Sequence, residues 1–202
     1  MKKLIFIVAT LVAFVANASA VVNKSTVFGL MYTDGVEFST GKDAPDFTDE
    51  AGYRSHVALT FDMMFAITPS LAIHPALGFV LRTFSFEGKD YSEDYSSTDV
   101  AMGIELPIMA RCYFTEGFFG EFGPVFDFSL FEKYYNDRTD EWTDIETNEN
   151  VYAGITAGLG YTFRIGLELG SNFTYGLTNL YEHADWKGPR FNLNIAYWFN
   201  YR

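Results

Sequence analysis

The 202-residue sequence is poor in cysteine and in proline, with one cysteine, Cys112, and six prolines. A single cysteine excludes an internal disulfide and a zinc site built from cysteines, and Cys112 is expected to act as an apolar strand residue. Basic residues are also few, 14 Lys and Arg against 26 Asp and Glu. This excess of negative charge gives no simple attraction for nucleic acid or anionic lipid surfaces, so we expect no nucleic-acid partner.

The sequence also lacks an apolar run long enough for a transmembrane helix, which needs about 20 residues. Residues 4–15 are apolar, follow Lys2 and Lys3, and precede the small-residue segment 16–20. That order is typical of a cleavable secretory signal. We predict a signal peptide at residues 1–20 and a mature barrel domain at residues 21–202. Removal of the two lysines changes the formal charge from -12 to -14.

Aromatic residues are abundant at 18% of the chain, and apolar residues alternate with polar or small residues over eight segments. In one segment the apolar parity is Val57, Leu59, Phe61, Met63 and Phe65. The other parity there is Arg54, His56, Ala58, Thr60 and Asp62. Alternation of this kind indicates strands with one apolar face. The fold class predicted is all-β: an eight-stranded antiparallel up-and-down transmembrane β-barrel after an N-terminal signal peptide.

Connections between the predicted strands alternate in length. Long polar segments occupy residues 34–52, 87–99, 132–150 and 179–188, while the intervening turns are only a few residues. Outer-membrane barrels have short periplasmic turns and longer external loops, so the long segments are predicted to be external. These four segments hold most of the acidic residues, which keep the external face soluble. Carboxylates there could gather Ca²⁺, but they lack the oxygen and Gly spacing of a calcium loop, and we predict no metal or cofactor.

Ionisable residues within the predicted strands fall on the polar parity. Facing lipid, a basic residue at the midplane costs about 2–4 kcal/mol, and we predict no ionisable residue on the apolar parity in mid-strand. The polar parity is therefore expected to face the barrel interior and to form a structural charge network, because unpaired buried charges are expensive. Its members are Arg54, His56, Asp62, His74, Arg82, Glu105, Arg111, Glu121, Asp127, Glu168 and Arg190.

Three alternatives stay open at this point. Parity alone does not tell a membrane barrel from a secreted lipocalin-like binding barrel, whose apolar face is inside. A small channel is disfavoured because eight strands enclose an interior just wide enough for side chains. A lipid-modifying enzyme needs a His close to a nucleophile or carboxylate. His56 and His74 could meet in the interior beside Asp62, although structural pairing is the favoured interpretation.

Three short segments, in order along the chain, resemble the PorT-like family of bacterial outer-membrane β-barrel proteins. Residues 104–114, IELPIMARCYF, resemble that family's LEIPLLLKYYF strand. Residues 119–124, FGEFGP, are similar to its next strand, and residues 173–180, FTYGLTNL, look like its RYsyGLTNI stretch. The resemblance implies an outer-membrane location and insertion by the barrel assembly machinery. We expect a non-enzymatic barrel in contact with outer-membrane lipid, serving envelope integrity or surface interaction.

Overall fold

The structure, a computed structural model, describes residues 26–38, 40, 54–90, 93–136, 141–144, 151–178, 187–199 and 201. The predicted signal peptide and His183 lie outside the described residues, so the signal peptide stays a prediction. Among the described residues, no helix is long and apolar enough to span a bilayer.

Nine antiparallel strands make up the described chain, and eight of them close into a barrel. The strands are β1 (Thr26–Glu37), β2 (Arg54–Thr68), β3 (Leu71–Asp90), β4 (Glu93–Tyr113), β5 (Phe118–Asn136), β6 (Glu141–Asp144), β7 (Val151–Thr162), β8 (Leu167–Gly176) and β9 (Arg190–Phe199). Each barrel strand pairs with the next, β5 pairs with β7, and β9 pairs with β1. The short β6 pairs with the outer end of β5. The predicted eight-stranded barrel is confirmed.

The strand register sets the tilt of the barrel wall. Starting at Tyr161 on β7 and following paired residues through β8, β9, β1, β2, β3, β4 and β5 leads back to β7 at Val151. The displacement from Val151 to Tyr161 is ten residues. With a rise of about 3.3 Å per residue and about 4.8 Å between strands, this stagger tilts the strands by about 40°. Side chains fill an interior of this size.

The outward face of the barrel strands is mainly apolar, whereas the inward face is mostly polar or small. Exposed Phe118, Phe163 and Phe199 ring the end with the short turns, and exposed Phe128, Val151 and Leu177 lie toward the other end. The charged parity faces inward, where most of its side chains are buried. A lipocalin-like barrel would have the opposite orientation, so this structure is not that alternative. An apolar outside with polar alternation inside is the pattern of a barrel in lipid.

Several predicted loop segments are strand. β3 runs to Asp90 and β4 begins at Glu93, so most of the predicted loop 87–99 is a hairpin extending outward. The predicted loop 132–150 contains the end of β5 and the whole of β6, and residues 34–37 belong to β1. Backbone pairing with a neighbouring strand overrides the low strand propensity of these polar residues. Asp34 consequently lies within a strand on the outward face, contrary to the prediction that mid-strand outward positions carry no charge.

One β-bulge changes which residues face the interior. Ser129 pairs with Gly103 and Phe131 pairs with Met102, which leaves Leu130 without a partner on β4. An extra residue reverses the alternation beyond it. Leu130 and Phe131 are therefore both exposed on the outside, and Glu132 is buried inside.

Candidate functional site

An apolar plug closes the end of the lumen that carries the short turns. Its members are the buried side chains of Val27, Met64, Ala72, Tyr113, Phe119, Trp198 and Tyr201. They come from the periplasmic ends of β1, β2, β3, β4, β5 and β9, which converge there because the barrel is closed. The Tyr113 and Phe119 rings pack edge to face with centroids 5.9 Å apart. The packing of these rings fills the lumen at the end that carries the short turns.

Directly above the plug lies the lower network, which consists of Asp62, His74, Arg111, Glu121 and Glu168. Arg111 is fully buried at its centre and donates to Glu121 Oε2 from Nη2 at 2.7 Å and to Glu168 Oε2 from Nη1 at 2.7 Å. Glu168 also accepts from Thr162 Oγ1 at 2.7 Å and from Trp198 Nε1 at 2.8 Å. Each charged group therefore has several partners, which offsets the cost of burying it.

Aromatic rings support Arg111 from the plug side. Its guanidinium carbon lies 3.7 Å from the centroid of the Phe119 ring and 5.5 Å from that of Trp198. Attraction between a cation and a π face is strongest where water is excluded. The plug and the lower network are thus one packed unit.

His74 connects the lower network to a second carboxylate. Its Nε2 is 2.9 Å from Asp62 Oδ1, and its Nδ1 is 3.2 Å from Glu121 Oε2. Thr60 Oγ1 donates to Asp62 Oδ2 at 2.9 Å. The imidazole is held between two carboxylates, and the neighbouring hydroxyl bonds to Asp62 instead of to the imidazole.

The upper network fills the outer half of the lumen around three arginines. Arg190 Nη1 lies 3.0 Å from Asp127 Oδ2, 3.2 Å from Glu105 Oε2 and 3.1 Å from His56 Nδ1. Arg82 also donates to Asp127. Nearer the rim, Arg54 Nη2 donates to Asp99 Oδ2 at 2.9 Å and to Glu132 Oε1 at 2.8 Å. The members of the upper network are Glu37, Arg54, His56, Arg82, Asp99, Glu105, Asp127, Glu132 and Arg190.

A small cavity of about 30 Å³ separates the two networks. His74 and Glu121 line it from below, and Glu105 and Arg190 line it from above. Uncharged polar side chains of β8 and β9, including Asn172, Thr174 and Asn192, form the opposite wall. A space of this size holds a water molecule or two and has no room for an organic solute.

The structure places all eleven predicted network residues on the lumen wall, but in two separate groups. His56 and His74, which we expected beside each other near Asp62, lie in different networks. His56 is opposite Arg82 in the register. Asp62 is opposite Ala76, which is two residues along β3 from His74 and on the same face. The two histidines are consequently displaced along the barrel axis.

Three lumen carboxylates, Glu37, Asp99 and Glu132, were assigned to loops from the sequence. Glu37 and Asp99 continue the inward parity of β1 and β4, so extending the alternation further along each strand would have found them. Glu132 lies beyond the bulge at Leu130, and the alternation counted along the sequence places its side chain on the outward face instead of the inward one. Pairing information is required to place it.

Outside the barrel wall, an exposed ion pair joins two of the short turns. Arg164 Nη2 donates to both carboxylate oxygens of Glu116 at 2.9 Å. These hydrogen bonds and the negative charge raise the pKa of Arg164 above its ordinary value. Exposed pairs of this kind contribute little to stability.

The described residues contain no group of three or more His, Cys, Asp and Glu side chains arranged to hold a metal ion. Both lumen histidines contact carboxylates and guanidiniums that are themselves paired. The chemistry that this arrangement supports is ion pairing inside a closed wall.

A protein-family model described as outer membrane protein beta-barrel domain matches residues 23–182. Among solved structures, Neisserial surface protein A is similar at 7% identity over 87% of this chain and 100% of that chain, with a TM-score of 0.48. Ail, the attachment invasion locus protein of Yersinia pestis, is similar at 11% identity over 86% and 97% of the two chains, with a TM-score of 0.42. The translocator domain of the autotransporter NalP from Neisseria meningitidis is similar at 9% identity over 87% and 90%, with a TM-score of 0.38. None of the curated proteins matches the chain.

Proposed function

The chain belongs to the outer membrane protein beta-barrel domain family and is located in the bacterial outer membrane, and from this premise we propose that it is a non-enzymatic barrel serving envelope integrity or surface interaction. The observation that carries the proposal is the filled lumen. The apolar plug and the lower network close the periplasmic half, and the upper network fills the outer half. A barrel filled in this way acts through its outer surfaces.

Ion conduction tests the filled lumen directly. Purified protein in planar bilayers should give no stable conductance steps, because the cavity between the networks is only about 30 Å³. A double variant, Trp198→Ala with Arg111→Ala, removes the largest plug side chain and the centre of the lower network. A matched control is Phe122→Ala, on the outward face. Stable steps from the unsubstituted protein would contradict the proposal.

An enzyme that modifies lipid is the alternative function that an outer-membrane location would allow. The contacts of His56 and His74 favour a structural role, because His74 Nδ1 lies 3.0 Å from Arg111 Nη2 and His56 Nδ1 lies 3.1 Å from Arg190 Nη1. These two arginines also pair with Glu121 and Glu105, the carboxylates that face the same imidazoles. Lipid A profiles of cells lacking and overproducing the protein should be identical. A new or missing lipid A species that depends on His74 would assign an activity and contradict the non-enzymatic proposal.

Outside the membrane, the extension of β3, β4, β5 and β6 is the surface we assign to interaction. These strands are paired beyond the level at which β1 and β2 end, so they form one continuous sheet on one side of the barrel. Its partner is unknown. A variant that joins β3 to β4 by a two-residue turn just beyond Ser85 and Thr98 removes the tip of the extension and keeps the barrel, including the lumen residue Asp99.

Sensitivity to detergent and chelator separates the two roles. If the protein serves envelope integrity, the shortened variant should restore resistance to a strain lacking the protein as well as the full chain does. If it serves surface interaction, the deletion strain should keep its resistance, and binding of cells to their surface partner should require the full extension. If the deletion strain keeps both its resistance and its binding to the surface partner, both roles are contradicted.

The three segments near residues 104–114, 119–124 and 173–180 support a closer kinship with the PorT-like barrels. Insertion by the barrel assembly machinery is part of the same proposal, as is contact with outer-membrane lipid. Depletion of that machinery should leave the protein unfolded, which the loss of its heat-modifiable band on a gel would report. Persistence of the folded band after depletion would contradict this route.

A further inference from the structure

Asp34 is an ionisable residue on the lipid-facing side of the barrel. The residues of β1 alternate strictly from Val27 to Asp34, with Thr33 buried and Asp34 exposed. Along the same strand, outward Tyr32 lies on one side of it and Val36 on the other. In the register, Asp34 is opposite Val57 on β2 and Leu193 on β9. The carboxylate is therefore surrounded by apolar side chains within the outward belt.

A carboxylate at such a position is destabilising unless something outside the protein interacts with it. Among the described side chains, none forms an ion pair or hydrogen bond with Asp34. The lumen carboxylates differ in this respect, since each predicted network member has a partner inside the barrel. An ionisable residue that faces lipid without a partner among the residues that the structure describes is a candidate binding group.

Two hydroxyls continue the polar surface from Asp34 toward the outer rim. Ser55 is opposite Val36 and one outward position beyond Val57, and its Oγ is hydrogen bonded to Thr83 Oγ1. Both hydroxyl residues belong to the outward parity of β2 and β3. We call Asp34, Ser55 and Thr83 the polar notch. On β5, β7, β8 and β9 the outward residues at the corresponding level are apolar, as Phe128, Val151, Leu177 and Phe191 are, and on β5 the outward face becomes charged beyond the bulge, at Lys133.

The chemistry of the notch restricts what can occupy it. A carboxylate only accepts hydrogen bonds, so its partner must donate them. The notch lies in the half of the belt away from the short periplasmic turns, and hence in the outer leaflet. Ester-linked phospholipids have only acceptors below their headgroups. A glycolipid with amide-linked, hydroxylated acyl chains has N–H and O–H donors at that depth.

We propose that the polar notch binds the amide and hydroxyl donors of an outer-leaflet glycolipid, with Asp34 as the principal acceptor. The surface is continuous with the lipid-facing belt, so a lipid reaches it by lateral diffusion. A hydrogen bond to a charged acceptor in an apolar surrounding is among the stronger ones. Bound glycolipid would thus stabilise this face of the barrel, and ester-linked phospholipid would not.

Unfolding of the full mature chain in two kinds of vesicle tests the proposal. One vesicle contains phosphatidylcholine alone, and the other contains phosphatidylcholine with lipid A. Lipid A should slow urea unfolding of the unsubstituted protein by about tenfold, the equivalent of one charge-assisted hydrogen bond. Asp34→Leu should lose that dependence on lipid A, and in phosphatidylcholine alone it should unfold more slowly than the unsubstituted protein.

The matched control is Leu59→Ala, an outward substitution on β2 that lies outside the notch. It should accelerate unfolding by the same factor in both vesicles. If lipid A slows unfolding of Asp34→Leu as much as that of the unsubstituted protein, the proposal is wrong. A dimer in detergent that Asp34→Leu abolishes would identify a second copy as the occupant and would equally overturn it. Neither result depends on conductance or on the external extension.

Discussion

Removal of the Arg111 guanidinium is the most direct test of the lower network. Arg111 is fully buried and pairs with Glu121 and Glu168, which come from β5 and β8. Arg111→Met keeps a long apolar side chain over the Phe119 ring while it removes the charge. Glu121 then retains His74 as a partner, and Glu168 retains Thr162 and Trp198. Two buried carboxylates lose their guanidinium partner.

Breaking a buried ion pair from one side costs about 3–5 kcal/mol, because the remaining charge is left without compensation. At 1.4 kcal/mol for each factor of ten, the folded-to-unfolded ratio of Arg111→Met should fall by about 10² to 4 × 10³. The triple variant Arg111→Met, Glu121→Gln, Glu168→Gln removes all three charges. It should recover most of the loss, since neutral amides are cheaper to bury than unpaired carboxylates.

The free energy of unfolding of both variants is measured in lipid vesicles by equilibrium unfolding in urea. Heat modifiability on a gel monitors the folded fraction. Arg164→Ala serves as the control for loss of an arginine, because its ion pair with Glu116 is exposed. The reasoning is refuted if Arg111→Met lies within about 1 kcal/mol of the unsubstituted protein, a difference typical of surface pairs. A triple variant as unstable as the single one would show that packing, not charge compensation, determines the cost.

Three further predictions concern other parts of the barrel. Deletion of Leu130 should leave heat modifiability intact, because it removes the bulge and keeps Glu132 on the inward face; loss of the folded band would contradict this. Gly160→Ala should destabilise the barrel by about 1–3 kcal/mol in urea, since a Cβ there would overlap the Phe119 ring, and an unchanged midpoint would rule out that contact. Arg164→Ala should leave the urea midpoint unchanged, because its ion pair with Glu116 is exposed, and a lowered midpoint would mean that the turns are coupled to the barrel.

The barrel itself was predictable because alternation along a strand is local. A residue such as Phe61 and its neighbour Asp62 point to opposite faces wherever the strand lies. Counting the alternating segments predicted eight strands, and the position of the charged parity predicted which face is inside. Strand ends were less predictable, because the pairing of β3 with β4 stabilises polar residues as strand beyond the apolar stretch.

The membership of the lumen network was mostly predictable, but its pairing was not. Arg111 and Glu168 are 57 positions apart in the sequence, and only the stagger of the strands sets them at one height. The same stagger separates His56 from His74. Glu132 was missed because one unpaired residue, Leu130, reverses the parity after it, and unpaired residues are visible only against a neighbouring strand.

By itself the sequence determined which face of each strand is apolar, because the direction of a side chain follows from the alternation of the backbone. That is sufficient to predict a barrel of alternating strands, and the confinement of ionisable residues to one parity favoured a charged interior over the lipocalin-like orientation. The tertiary structure decided the quantities that depend on two strands at once: the ten-residue stagger between Val151 and Tyr161, the bulge, the partners of each arginine and the length of the outer hairpins. It also placed Asp34 in the lipid-facing belt, because pairing with β2 and β9 extends β1 past the point where its apolar pattern ends.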